Sequence, residues 1–274
     1  MEFKAYKMDG LGNDFVIIDE RSKNLDLNKE QIIKICDRNF IGCDQLIFIK
    51  KNRNTDAGLE FYNSDGSKSG ACGNGTRCVA YFLSKEKNKN QIEVWTSSGN
   101  LQSKIYEEKI VETKIGIPKT NWNEIPLSKE LETKNLKIKI LDEKNNEFIG
   151  GTAVNVGNPH VIFFINDIDI FDIKKLGPEI ENSKLFPERC NVTLAKIIKD
   201  DHIKIKVWER GAGLTKACGT AACATAYAAK LNGMKKSKIN IEFSLGILSI
   251  EIDSKNTIYM KGPVSEIEEI TVKI

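Results

Sequence analysis

The feature that most constrains this chain is that it repeats itself. Gly12-Asn13-Asp14-Phe15-Val16-Ile17 is answered by Gly157-Asn158-Pro159-His160-Val161-Ile162 at an offset of 145. Ala71-Cys72-Gly73 with Tyr81 is answered by Ala217-Cys218-Gly219 with Tyr227 at an offset of 146. Between these anchors the same offset sets Gln45 against Asn191 and Tyr62-Asn63 against Trp208-Glu209. Beyond them Ile92-Glu93-Val94 and Gly99 meet Ile239-Asn240-Ile241 and Gly246, one residue further out of register. Each match alone is weak, but collinear matches at a fixed period are the mark of a duplicated fold. The expected organisation is a first repeat over 1–118, a connecting segment over 119–149, and a second repeat over 150–274. The last strand is expected to cross back to the first repeat.

Size and charge narrow the class. The 274 residues suffice for two domains of ordinary size, and a 41% hydrophobic content can fill two cores. The formal charge is only +3, with acidic and basic residues interspersed, which disfavours nucleic acid or a membrane surface as partner. The opening MEFKAYKMDG lacks the apolar stretch of a signal peptide. No apolar run approaches the roughly 18–20 residues of a membrane span. A cytoplasmic protein is therefore expected, with its seven cysteines as thiols rather than a disulfide framework.

Within each repeat the pattern is mainly strand. Phe15–Ile18, Leu46–Ile49, Ile92–Trp95, Val161–Ile165, Ile203–Val207 and Leu248–Ile252 are short β-branched and aromatic runs. The two cysteine segments instead open helices, over Thr76–Ser84 and over the Ala-rich Thr220–Lys230. Little polar surface is available on them, so each helix is expected inside a curled sheet. The fold class is α/β (α+β).

In both segments a cysteine is followed by glycine where loop becomes helix. The first N–H groups of a helix lack intrahelical partners and, with the helix dipole, form an anion site. A cysteine there is expected to have a lowered pKa and to act as thiolate near neutrality. Two such turns facing one another would hold a carboxylate between helix ends, with its α-carbon between two sulfurs. One thiolate would then remove the α-proton while the opposite thiol delivers another, inverting the centre. The spacings Cys72/Cys78 and Cys218/Cys223 are not those of zinc ribbons, so no metal is expected.

At these segments the chain closely resembles the diaminopimelate epimerase family. The resemblance is carried by Met8-Asp9-Gly10-Leu11-Gly12-Asn13-Asp14-Phe15, Asp44-Gln45, Asn63-Ser64-Asp65-Gly66 and Cys72-Gly73-Asn74-Gly75-Thr76-Arg77-Cys78. It continues in Gly157-Asn158-Pro159-His160, Asn191-Val192, Glu209-Arg210-Gly211 and Ala217-Cys218-Gly219-Thr220. It implies two similar domains, each a β-barrel-like sheet around a central helix. It also implies interconversion of LL- and meso-2,6-diaminopimelate on the route to lysine and peptidoglycan, without pyridoxal phosphate or another cofactor. By position it makes Cys72 and Cys218 the acid–base pair. Asn13, Gln45, Asn63, Gly73, Asn74, Asn158, Asn191, Glu209, Arg210, Gly219 and Thr220 become substrate contacts, and His160 with Glu209 the groups that tune the thiols. A homodimer is the family's assembly.

Some positions depart from the family pattern: Asp9 for histidine, Phe40 and Ala221 for glycine, and Glu268 for an aromatic residue at the dimer strand. A proline or hydroxyproline racemase-like enzyme of the same fold is the alternative activity, and a non-enzymatic thiol or zinc-binding protein the alternative class.

Overall fold

The computed structural model describes residues 1–70 and 72–274, the Glu108 side chain excepted. The chain forms two compact units, Met1–Lys114 together with Lys261–Ile274, and Ile115–Met260.

The first unit opens with a hairpin of β1 (Glu2–Gly10) and β2 (Asn13–Asp19). Its two turn residues, Leu11 and Gly12, both have positive φ, 60° and 79°. Such turns match the right-handed twist of the paired strands. The Asp9 carboxylate accepts the Gly12 N–H at 2.8 Å and steadies the bend, so Asn13 emerges at the start of β2. Helix α1 (Lys29–Cys36) begins at a reciprocal capping box between Asn28 and Gln31 and buries Ile32, Ile35 and Cys36. It returns the chain to β3 (Gln45–Lys50), parallel to β2. Strand β4 (Ala57–Asn63) lies antiparallel to β3 with Gln45 opposite Asn63, and β5 (Lys68–Ser69) folds back on it.

Helix α2 (Gly73–Lys87) follows, then β6 (Gln91–Thr96) parallel to β4, and β7 (Gly99–Ile105) and β8 (Ile110–Gly116) antiparallel in turn. Every α2 residue from Asn74 to Tyr81 is buried, and the helix packs on β1, β2, β6 and β7. A helix covered on all sides is a core element, as expected from its composition. Gly75 is required there: a Cβ would lie 2.7 Å from Ile47 Cδ1 and 3.1 Å from Phe61.

The second unit begins with a separate hairpin, β9 (Ile138–Leu141) and β10 (Glu147–Gly150). Residues 119–149, expected as a connecting segment, fold within this unit, where Ile125, Leu127, Leu136 and Ile140 are buried in its core. The repeat then unfolds in the same order. Strands β11 (Thr152–Asn155) and β12 (Pro159–Phe164) are antiparallel, and α3 (Ile173–Glu181) leads to β13 (Asn191–Lys199), parallel to β12. Next come β14 (His202–Glu209) and β15 (Gly213–Thr215), each antiparallel to its predecessor. Helix α4 (Gly219–Leu231), β16 (Lys238–Phe243) and β17 (Gly246–Ile252) complete the copy, β16 running parallel to β14. Register repeats as well as order: Leu46 lies opposite Tyr62, and Val192 opposite Trp208.

After β18 (Ile258–Pro263), β19 (Glu268–Lys273) pairs with β1 in the first unit, placing Val272 opposite Phe3. Among the described residues no helix is long and apolar enough to cross a membrane.

Candidate active site

Both candidate cysteines occupy the same place in their repeat, the cap residue in extended backbone immediately before a buried helix. Cys72 has φ −138° and ψ 116°, and Cys218 has φ −134° and ψ 111°. Ala71, the first residue of the first turn, lies outside the described residues. The glycines that follow, Gly73 and Gly219, begin α2 and α4.

Around Cys72 the first unit arranges a chain of amides. The Gly75 N–H donates to the Cys72 sulfur at 3.5 Å, and that sulfur lies 3.8 Å from Asn13 Oδ1. Asn74 Nδ2 donates to the same oxygen at 3.2 Å, while the buried Arg77 guanidinium donates to Asn74 Oδ1 at 2.9 Å. Asn13 Nδ2 in turn donates to Asp44 Oδ2 at 2.9 Å. Both faces of the Asn13 amide are thereby set, with its acceptor toward the cysteine. Gln45 and Asn63 form a linked pair on β3 and β4, Gln45 Nε2 donating to Asn63 Oδ1 at 2.9 Å and Asn63 Nδ2 to Ser67 at 3.0 Å. The Gln45 carbonyl oxygen is buried without a hydrogen-bond partner among the described residues. Such an acceptor is costly to leave unmade and is suited to an incoming ammonium.

The second unit builds its counterpart from different groups. The Cys218 sulfur lies 3.4 Å from the Thr220 hydroxyl, which accepts from Asn158 Nδ2 at 3.4 Å. His160 Nε2 is 2.9 Å from Asn158 Oδ1, so that nitrogen carries the proton and Nδ1 is a buried acceptor without a partner among the described residues. Asn191 Nδ2 donates to the Pro159 carbonyl at 2.9 Å, and Asn191 Oδ1 accepts the Arg210 N–H at 3.0 Å. The Arg210 guanidinium donates to the Glu188 carbonyl at 2.8 Å, and Glu209 accepts from the Thr215 hydroxyl.

The electrostatics correct one expectation. The position at a helix start leads one to expect a thiolate, yet the Cys218 thiol is pushed well above its ordinary value of 9.0. Burial is the main cause and the Glu209 carboxylate adds to it; the bond with Thr220 only partly opposes them. Desolvation of a nearly covered sulfur outweighs the helix end. The Glu209 carboxylate stands close enough to Cys218 to disfavour its thiolate. His160 is pushed down to about 3 by complete burial and then by Arg210, so it is a neutral imidazole at physiological pH. Its described hydrogen bond runs to Asn158 rather than to sulfur.

Four groups that shape the site are given no role by the sequence reading, although Asp44 and Arg77 stand within its motifs. Arg77 and Asp44 orient Asn74 and Asn13, and Thr215 orients Glu209. Glu181, at the end of α3, accepts from Gly211 N–H at 2.9 Å, Trp208 Nε1 at 2.7 Å and Arg189 at 3.3 Å, and so ties down the Glu209–Arg210 loop. A glutamate closing an amphipathic helix reads as a surface residue; only the tertiary fold shows it 5% exposed.

Among solved structures, the fold is similar to a hydroxyproline epimerase from Agrobacterium vitis, with a TM-score of 0.70 at 12% identity over 99% of this chain and 91% of that one. At that identity the likeness is one of fold alone. Each repeat of the duplicated architecture carries one cysteine-capped, buried helix. The diaminopimelate epimerase profile matches residues 5–120 and 152–267. A diaminopimelate epimerase of Pelagibacter ubique is 65% identical over 274 residues, the whole of both chains. One of Zymomonas mobilis is 40% identical over 267 residues, 97% of this chain and 95% of that one. The chain belongs to the diaminopimelate epimerase family.

Proposed function

We propose that this chain interconverts LL- and meso-2,6-diaminopimelate by passing one α-proton between Cys72 and Cys218. The carrying observation is the recurrence of a cysteine-capped buried helix at the same place in both repeats, within a chain of this family. One cysteine as thiolate takes the α-proton. The electron pair left on carbon delocalises into the α-carboxylate, and the other cysteine returns a proton to the opposite face. The centre is inverted and the charge ends on the second sulfur.

The barrier lies in the weak acidity of that proton. The first-turn N–H groups at Gly73-Asn74 and Gly219-Thr220, which an α-helix leaves without intrahelical partners, are donors for the carboxylate oxygens on which charge accumulates. A single preorganised donor of this kind is worth about 3–4 kcal/mol, and positioned proton transfer contributes roughly 10²–10⁴-fold more. The remote end of the substrate carries its own ammonium and carboxylate. Asn13, Gln45, Asn63, Asn158, Asn191, Glu209 and Arg210 supply acceptors, amides and a guanidinium for it. Sites built from such groups reject analogues that leave them unpaired, which favours this substrate over a ring amino acid lacking the second zwitterion. The reaction is assigned to the cytoplasm and the working form to a homodimer, for which sedimentation should return twice the chain mass of 30.8 kDa.

The test is turnover of LL-diaminopimelate in deuterated water. Meso product carrying α-deuterium, lost in both Cys72→Ala and Cys218→Ala, supports the reading. Turnover of proline alone would replace the substrate, and activity surviving in either variant would remove the paired-thiol mechanism.

A further inference from the structure

Outside the candidate site, two cysteines lie in contact. Cys36 ends α1 and Cys43 lies two residues before β3, and their sulfurs are 3.5 Å apart. The loop between them closes on itself: Gly42 N–H donates to the Ile35 carbonyl at 3.0 Å and Cys43 N–H to the Cys36 carbonyl at 3.2 Å. Gly42 makes the return possible with φ +77°, and a Cβ there would press on Arg38 at 3.0 Å. The two main chains are therefore hydrogen-bonded neighbours, and only about 1.5 Å of sulfur movement separates the contact from a disulfide bond of roughly 2.05 Å. Both cysteines are buried, Cys36 3% and Cys43 1% exposed, at the margin where the apolar cluster of Ile32, Ile35 and Leu46 meets the exposed loop Asp37, Arg38, Asn39 and Phe40 that joins them.

The geometry points to Cys36 and Cys43 as a dithiol modification site that hydroperoxides convert to an intrachain disulfide, with Cys36 as the attacking sulfur. The bond Cys43 donates lowers the Cys36 thiol from its ordinary value, with help from Arg38, while Cys43 itself is pushed far up. Cys36 thiolate attacks one peroxide oxygen and becomes a sulfenic acid as the O–O bond breaks. The released oxygen leaves as water (or as alcohol, from an organic hydroperoxide), taking one proton. The Cys43 sulfur then displaces the sulfenic hydroxyl, which leaves as water with the Cys43 proton. Two thiols are oxidised and one peroxide is reduced. Thiols this nearly covered favour a small hydroperoxide over a bulky disulfide as the oxidant.

Arg38, inside the closing ring, links the modification to the candidate site. Its guanidinium binds Asp14 and Asp44, and Asp44 holds the Asn13 amide. Drawing the two sulfurs together shifts the segment that carries Arg38 and loosens that hold. This consequence rests on Asn13 being a substrate contact; the dithiol chemistry does not.

Trypsin separates the two cysteines, Cys36 into Ile35–Arg38 and Cys43 into Asn39–Lys50. After hydrogen peroxide treatment of the native full-length chain, mass spectrometry without reductant should find these two peptides joined and two hydrogens lighter. Recovery of both as alkylated thiols would overturn the proposal. In Cys43→Ala, dimedone should trap a sulfenic acid on Cys36, whereas label on neither cysteine across the Cys43→Ala and Cys36→Ala variants would overturn the assignment of the attacking sulfur. In wild type, but not in Cys36→Ala treated alike, KM for LL-diaminopimelate should rise about two- to five-fold, the size expected for weakening exposed ion pairs. Dithiothreitol should restore it. A joined peptide with unchanged KM would overturn the link through Arg38. A chain that never turns over diaminopimelate fails the proposed function and leaves the peptide result to decide the dithiol.

Discussion

His160 offers a measurable consequence of burial. Its imidazole is completely covered and stands near Arg210, so its folded value falls to about 3 against an ordinary 6.5. In the unfolded chain the ring takes up a proton below about pH 6.5; in the folded chain it does not until far lower. Between those limits the unfolded state binds more protons, so stability is complete above pH 6.5 and declines as pH falls toward 3. Each pH unit in the window is worth about 1.4 kcal/mol. Moving from about pH 7.5 to about pH 5.0 crosses roughly 1.5 units of it, so folding should weaken by about 2 kcal/mol through this residue alone. A folded value one unit higher leaves that figure almost unchanged. The perturbation is His160→Gln, which keeps a donor for Asn158 without a titrating ring. Urea unfolding at both pH values gives a loss for each protein, and subtraction cancels every other titrating group. Wild type should lose about 2 kcal/mol more than the variant. Equal losses would mean that His160 is protonated in the folded state, and a cationic partner for a thiol would return to consideration.

Two other substitutions probe how the helices and their loops are held. Gly75→Ala puts a methyl against Ile47, Phe61 and Phe15 and should lower folding stability by about 1–3 kcal/mol despite alanine's helix propensity, while Ala221→Gly, at the matching position of α4, should cost about 1 kcal/mol; opposite signs would show the two helix starts are packed alike. Glu181→Gln turns an acceptor of three hydrogen bonds into one that must face a donor with its own N–H. It should cost about 1–3 kcal/mol in urea unfolding and raise KM for diaminopimelate; an unchanged KM would mean that the Glu209–Arg210 loop keeps its place without this carboxylate.

The repeat was legible because duplication leaves residues of the same type at the same pleat. Gln45 and Asn191 both open the strand that runs parallel to its predecessor, and Asn63 and Glu209 both close the next one. The fold class, the buried helices and the cysteine turns all follow from such local signals. The role of residues 119–149 does not, because their apolar residues are scattered among charges and acquire a core only from Phe163, Phe171 and their neighbours, distant in sequence. Orientation was equally illegible. Nothing in Asn13-Asp14 says that Asp44 turns the amide, or that Arg77, deep in α2, turns its partner Asn74. The thiol's charge state also escaped a sequence reading: the helix start is local and argues for thiolate, whereas burial is global and prevails at Cys218.

Equivalence of position also conceals inequality of chemistry, and Glu209 is the sharpest case. It stands where the first repeat has neutral Asn63. Burial makes thiolate costly at Cys218, and the carboxylate makes it costlier by repulsion and by accepting a hydrogen bond from the thiol. On the proposed mechanism, Cys218 then holds its proton at rest and is the sulfur ready to deliver one. Glu209→Gln keeps the size of the side chain and removes its charge, so the Cys218 thiol should move back toward its ordinary value without reaching it, since burial remains. Iodoacetamide labelling across pH measures this, read from fragment ions that separate Cys218 from Cys223 in the tryptic peptide Ala217–Lys230. In wild type the midpoint should lie above 9.0, and in the variant it should be lower with the high-pH plateau unchanged. A variant that labels faster at every pH, plateau included, would have gained access rather than lost charge. An unmoved midpoint would show that Glu209 does not govern this thiol, leaving burial alone to hold the proton.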